Sequence, residues 1–281
     1  MRICLLVLSI SLLLTVLGCG GLDVEVADEE VMAIEEMPLE PASEVTDFKF
    51  HTLIANIPSP LTTYELLQES GAPYHNDLSN PLENRNKYLV EASKALNFGV
   101  YMADFGYALL NEDNQKALRY YAVSHTLAKE LGFGSVLDQV VNERLIANVG
   151  NTDSAKVIIN DAYKALDKYL RSNDQQKTAG YIITGGWMQT QHIVLVMIDD
   201  AEARVMMEHL REEVYKQQSH IGNLITFLIE YQDDTDVASL IDQLAVVKGE
   251  YDQLVDAVDV EGEKVENLKS AVSVMRDQII N

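Results

Sequence analysis

Residues 88–110 read YLVEASKALNFGVYMADFGYALL, and within them Tyr88, Ala92, Ala95, Gly99, Ala103, Gly106 and Leu110 recur at steps of three and four. That spacing is the period of one helix face, so the stretch predicts a long helix. Most of those side chains are small, which predicts a neighbouring helix packed close against this face. The same spacing would suggest dimerisation inside a membrane; in an exported soluble domain it means a tightly packed core. Immediately downstream, Asp113 to Leu131 repeats the pattern with Ala117, Tyr121, Ser124 and Ala128 inward, and Gly132 supplies the stop. Two such helices on a short link predict a helical hairpin and place the chain in the all-α class.

Further along, Asn151, Thr152, Asp153 and Ser154 offer capping side chains. Val157, Ile158, Ala162, Ala165, Leu166 and Tyr169 then mark an amphipathic helix. Ala179 to Ile198 is the most apolar segment after the leader, but Thr184, Gln189, Thr190, Gln191 and His192 interrupt it, so a buried central helix is expected there instead of a membrane span. The tail has the most regular period. Leu240, Leu244, Val247, Tyr251, Leu254, Val258, Glu261, Val265, Leu268, Val272, Met275 and Ile279 alternate steps of four and three, and only Glu261 breaks the apolar series. Residues 236–281 are therefore expected to form one heptad-patterned helix, or a helical hairpin bent at Gly262, packed on the helices of residues 57–235. The whole predicts a bundle of helical hairpins, with a solenoid-like stack as the open alternative.

Upstream, Ile57-Pro58-Ser59-Pro60 is held extended by its prolines and opens a short helix that stops at Ser70-Gly71. Residues 20 to 48 hold no lysine or arginine while Asp23, Glu25, Asp28, Glu29, Glu30, Glu35, Glu36, Glu40, Glu44 and Asp47 are acidic. Residues 19–56 are thus expected to be a disordered, self-repelling tether reaching roughly 30 Å or more. At the start, Met1-Arg2 and the apolar run Ile3 to Leu17 read as a signal peptide over residues 1–18, too short to span a bilayer. The run ends in Gly18-Cys19, a small residue before cysteine, which resembles the bacterial lipobox. Lipidation of Cys19 and a cell-envelope location follow as expectations, the protein lipid-anchored at the outer membrane on its periplasmic or surface face. With Cys4 lost in the leader and Cys19 acylated, no thiol remains for a disulfide, a metal or a nucleophile.

Net charge is −23, from 44 acidic and 21 basic residues, and no basic stripe is present to neutralise phosphates. Nucleic acid is excluded as a partner on that ground, and anionic membrane surfaces are disfavoured. No Gly-x-Ser-x-Gly elbow, phosphate loop or dinucleotide turn occurs, and none of the six histidines has Glu three residues before it, as a di-iron bundle needs. Neither a metal nor a cofactor is expected. His209 and Glu213 share a helix face but read as a surface pair. The unusual composition is Gly180, Gly185 and Gly186 around Trp187, the single tryptophan, with Gln189 and His192 one helical step apart. Glycines inside a helix cost about 1 kcal/mol each. They predict either close backbone packing or a pocket at Gly185, Gly186 and Trp187, with Gln189 and His192 as its polar anchors.

Taken together, Ile57-Pro58-Ser59-Pro60, Ser70-Gly71-Ala72, Asn80-Pro81, Lys94 to Tyr101, Asp104, Asp153-Ser154, Tyr169-Leu170 and Gly185-Gly186-Trp187 resemble a family of helical bacterial lipoproteins without an established activity. The resemblance spans roughly residues 57 to 192. It implies a lipid-anchored helical domain and transfers no catalytic role. Where that family follows the tryptophan with an acidic and a small residue, this chain has Met188-Gln189-Thr190. The hairpin also resembles a tetratricopeptide unit, with Phe98-Gly99 and Ala117 to Tyr121 in place, but no second copy repeats it. The expected function is a non-enzymatic helical binding or scaffold module for an envelope protein partner, the alternative being a small-molecule or peptide receptor with its pocket near Trp187.

Because no other segment after the leader is both apolar and long enough to anchor the chain, Cys19→Ala is expected to move the protein from the membrane to the soluble fraction. Continued sedimentation of Cys19→Ala with membranes would contradict the lipid anchor.

Overall fold

Several helices start or stop where their sequence signals fall. In the computed structural model, which describes residues 59–148, 150–198 and 204–281, the Ser59 hydroxyl accepts from Leu61 N–H and Pro60 opens α1 (Pro60–Glu69). Gly71, with φ of 80°, takes the left-handed turn that ends it. A 3₁₀ turn (Leu82–Lys87) leads into α2 (Glu91–Leu110), and Asp113 caps α3 (Asn114–Glu130) by accepting from Lys116 N–H at 3.1 Å. Two short helices, α4 (Gly134–Val140) and α5 (Asn142–Asn148), precede α6 (Thr152–Ser172), which Asn151 caps through Ser154 N–H. Then come α7 (Gln176–Met197), α8 (Arg204–Leu228), α9 (Thr235–Tyr251) and α10 (Gly262–Ile280). Among the described residues there is no strand. The signal peptide, Cys19, the acidic tether and Ile57-Pro58 lie outside the described residues.

α2 and α7 form the centre. Between Ala95 and Leu110 only Leu96 is not buried, and α7 is buried on nearly all sides. A helix apolar all round must be covered all round. The two cover one another through glycine: a Cβ on Gly99 would fall on the carbonyl oxygen of Ile182, and one on Gly185 on that of Leu96. Gly186 lies against Gly99 in the same contact. On α7 the missing side chains thus let two backbones touch.

The remaining helices wrap this pair. α3 packs on α2, α1 on α2, α7 and α8, α6 on α7, and α10 on α7 and α2. In a solenoid each unit would touch only its neighbours in sequence. Here α2 meets α7 and α10 meets α2, so the architecture is a bundle and not a stack.

The heptad tail is a helical hairpin. α9 and α10 pack on each other, with Gly262 at φ 59° in the turn. Leu240, Leu244, Val247, Tyr251, Leu254, Val265, Leu268, Val272, Met275 and Ile279 are buried. The two members of the series that are not, Val258 and Glu261, lie in the turn, where Glu261 pairs with Arg211 at 2.9 Å.

Gly99→Ala is expected to destabilise the protein by about 1 to 3 kcal/mol, because one of two backbones must shift. In a domain of this size that lowers Tm by roughly 2 to 12 °C. Gly249→Ala, in α9 with nothing within 4 Å of the added carbon, should be neutral or stabilising by about 0.5 to 1 kcal/mol. Thermal melts that leave Gly99→Ala level with the parent would show that α2 and α7 are not in backbone contact.

Candidate functional site

Gly186 and Trp187 line a cleft of about 580 Å³ between α6 and α7. Leu166 and Leu170 of α6 form one wall, Ile182 and Ile183 of α7 the other, and Met102 of α2 and the start of α1 close it. The periodicity of α6 puts its leucines inward, and Gly99 and Gly186 leave the floor without side chains. Trp187 is held rigidly: its Nε1–H donates to Gln217 Oε1 at 2.9 Å, and its ring tilts on Tyr251 at 6.2 Å between centroids. Gln217, buried on α8, donates in turn to the Glu213 carbonyl at 3.1 Å and carboxylate at 3.0 Å. Burial raises the Glu213 carboxyl above its usual range. The indole therefore presents a fixed apolar face, its polar edge already satisfied.

Of the other residues singled out from the sequence, Gly185 faces the α2 backbone and does not line the cleft. His192 lies beyond it; burial first and then the Arg276 charge depress its pKa to about 3, so the ring is neutral at physiological pH. Its Nδ1 has no partner among the described residues. Gln189 belongs to a separate polar cluster. The polar residues of α7 that do reach the cleft beside Trp187 are Thr190 and Gln191, and Gln191, four residues on, is the one that helix arithmetic on Trp187 points to. Tyr163, Leu166 and Gln217 enter from other helices, and nothing local in their sequence marks them as cleft residues.

The polar cluster joins four elements. Asp104 of α2, fully buried, accepts from Gln189 Nε2 at 2.7 Å and from the Asn80 backbone N–H at 2.9 Å. Gln189 Oε1 accepts from Arg276 Nε of α10 at 2.7 Å, so one amide bridges a carboxylate and a guanidinium. Both Gln189 and Arg276 also donate to the Leu78 carbonyl, at 3.0 and 2.9 Å. Asn80 donates to Tyr88 and Asn97, while Asn84, Tyr88 and Asn97 donate to the carbonyls of Ile279 and Ile280. Those carbonyls close α10 and have no helical partner of their own, so the cluster serves as that helix's C-cap.

A buried carboxyl with a shifted pKa can mark a catalytic centre. Burial raises Asp104 from 3.8 to about 7, offset by the Asn80 N–H, Arg276 and Gln189. Yet neither Asp104 nor Arg276 lines the cleft, and their hydrogen bonds run to groups that hold helices together. The cluster is structural. Asn80, Asn97 and Asp104 also belong to the segments that carry the lipoprotein resemblance, and their place is here.

Among the described residues no group of three or more His, Cys, Asp or Glu side chains is arranged to hold a metal, and no helix is long and apolar enough to cross a membrane. Compared with family models, curated proteins and solved structures, the chain matches none.

The Asp104 environment has a measurable consequence. Its folded pKa, near 7, exceeds its unfolded value of 3.8. The folded state therefore holds the proton more tightly, and this contribution is complete below the unfolded value and is lost as pH rises through 7. The contribution is on the order of a few kcal/mol. His192 acts in the opposite direction, since its depressed pKa removes stability as pH falls below about 6.5. Comparison of the parent with Asp104→Asn cancels the histidine. The stability of the parent relative to Asp104→Asn, measured by urea unfolding, is expected to fall between pH 4 and pH 8. A difference that stays constant across that interval would mean that Asp104 is ionised throughout.

Proposed function

We propose that the protein is a lipid-anchored envelope protein whose helical domain receives a small apolar ligand in the cleft between α6 and α7. One observation carries this: a core filled elsewhere leaves about 580 Å³ open beside a rigidly held tryptophan. Ligand sites are commonly apolar clefts of about 300 to 1,000 Å³ with a few placed polar groups. The resemblance of residues 57 to 192 to helical bacterial lipoproteins, and the Gly18-Cys19 lipobox-like step, are what speak for the anchor. Binding is the reading we favour: the buried Asp104 carboxyl, with its raised pKa, is bonded within the cluster that caps α10 and does not line the cleft.

A scaffold role for a protein partner has less behind it. Apart from two neighbouring pairs, Leu89 with Val90 and Val255 with Val258, the exposed apolar side chains (Val157, Val196, Ile229, Val246 and Val274) lie singly on separate elements. Single exposed apolar residues of this kind are ordinary on any soluble surface.

Trp187 is the only tryptophan of the chain, so its emission reports on the cleft directly. Titration with the uncharged probe N-phenylnaphthylamine is expected to quench Trp187 saturably. Ile183→Phe, which fills the cleft from a half-buried position, should weaken the binding about tenfold or more while melting close to the parent. Unchanged emission up to the solubility limit, or equal affinity in Ile183→Phe, would exclude the cleft as a ligand site.

A further inference from the structure

Resting on the reading of the cleft as a ligand site, we infer that its ligand is an uncharged apolar molecule bearing a carbonyl oxygen, and that this oxygen is received by the side-chain amide of Gln191. Gln191 lines the cleft and is only 2 % exposed. Its Oε1 accepts from the Tyr251 hydroxyl at 3.0 Å, and this is the only hydrogen bond its side chain makes among the described residues. Tyr251 is itself fully buried beneath Trp187. The bond fixes the amide plane and leaves the two Nε2 hydrogens without an acceptor. A buried donor without a partner loses free energy comparable to a lost hydrogen bond. Water can serve it in the empty cleft; an apolar ligand that expels the water must supply the acceptor itself.

The acceptor is neutral because nothing at that depth balances a charge. The other polar groups of the inner wall, the hydroxyls of Thr63, Tyr163 and Thr190, are uncharged. Lys164 is exposed at the mouth, and Asp167 beside it is bonded to Arg171 at 2.7 Å. Arg276, the buried cation of the core, is committed to Gln189 and Leu78 and is not part of the cleft. A carboxylate carried to Gln191 would be desolvated without a counter-charge, a cost of several kcal/mol by general experience with buried ions. An ester, amide or ketone carries no such cost.

The experiment is competition against N-phenylnaphthylamine by three probes of matched length, methyl nonanoate, decane and decanoate, followed through Trp187 in the purified protein without detergent. The ester is expected to displace the probe about fivefold better than decane, the effect of one hydrogen bond of ordinary net strength, and at least tenfold better than decanoate at neutral pH. The double variant Gln191→Met/Tyr251→Phe removes the amide and leaves no orphan hydroxyl behind. It should bind decane like the parent and lose the preference for the ester, whereas Tyr251→Phe alone keeps it. If the double variant does not fold, Gln191→Glu at alkaline pH serves, since it retains the acceptor for Tyr251 and replaces the donor with a second acceptor. Equal displacement by ester and decane in the parent, a preference that survives loss of the amide, or decanoate binding as tightly as the ester each overturns the inference while leaving the cleft a ligand site. Failure of all three to compete overturns both.

Discussion

The backbones of α2 and α7 touch, and they can do so only because Gly99 and Gly185 carry no side chains. The other helices are arranged around that contact. It draws two helices that are apolar on nearly every side into one core, which α1, α3, α6 and α10 must then cover. It also decides where the core is not filled. Gly99 meets the α7 backbone and also lines the cleft, so the absence that allows the close approach leaves space beside Trp187. Packing and pocket, alternatives when the glycines are read as sequence, are two faces of the same helix.

The second constraint is the closing of α10. A helix that finishes in the interior leaves carbonyls that water cannot reach, and α10 finishes with Ile279 and Ile280 buried. Asn84, Tyr88 and Asn97 supply the donors, and Asp104, Gln189 and Arg276 hold the scaffold of those donors to α2, α7 and α10. A carboxylate and a guanidinium with an amide between them are costly to desolvate, so the arrangement fixes which helix ends meet more than it adds stability. This explains why Asn80, Asn97 and Asp104 are deep in the molecule.

The helices themselves were legible because periodicity and capping are local. Asp113, Gly132, Asn151 and Gly262 each announce a boundary that the chain obeys. The hairpin of α2 and α3 followed from a short link. The pairing of α2 with α7 did not, since glycine spacing says that a backbone comes near without saying which one. For the same reason Trp187 and Gly186 could be picked out as cleft residues while Tyr163 and Gln217, brought from α6 and α8, could not. Gln189 was mistaken for a neighbour of the tryptophan's open face because the partner that claims it, Arg276, is 87 residues away.

A strongly acidic protein would repel anionic ligands and admit neutral ones. The charge of −23 over the whole chain and the uncharged floor of the cleft thus select in the same direction. The most direct test is native mass spectrometry of the protein released from its own membranes, compared with Ile183→Phe prepared in the same way. A mass increment of one small neutral molecule, present in the parent and absent from Ile183→Phe, is the predicted result; an increment retained by Ile183→Phe, or the bare chain mass in both, would contradict it.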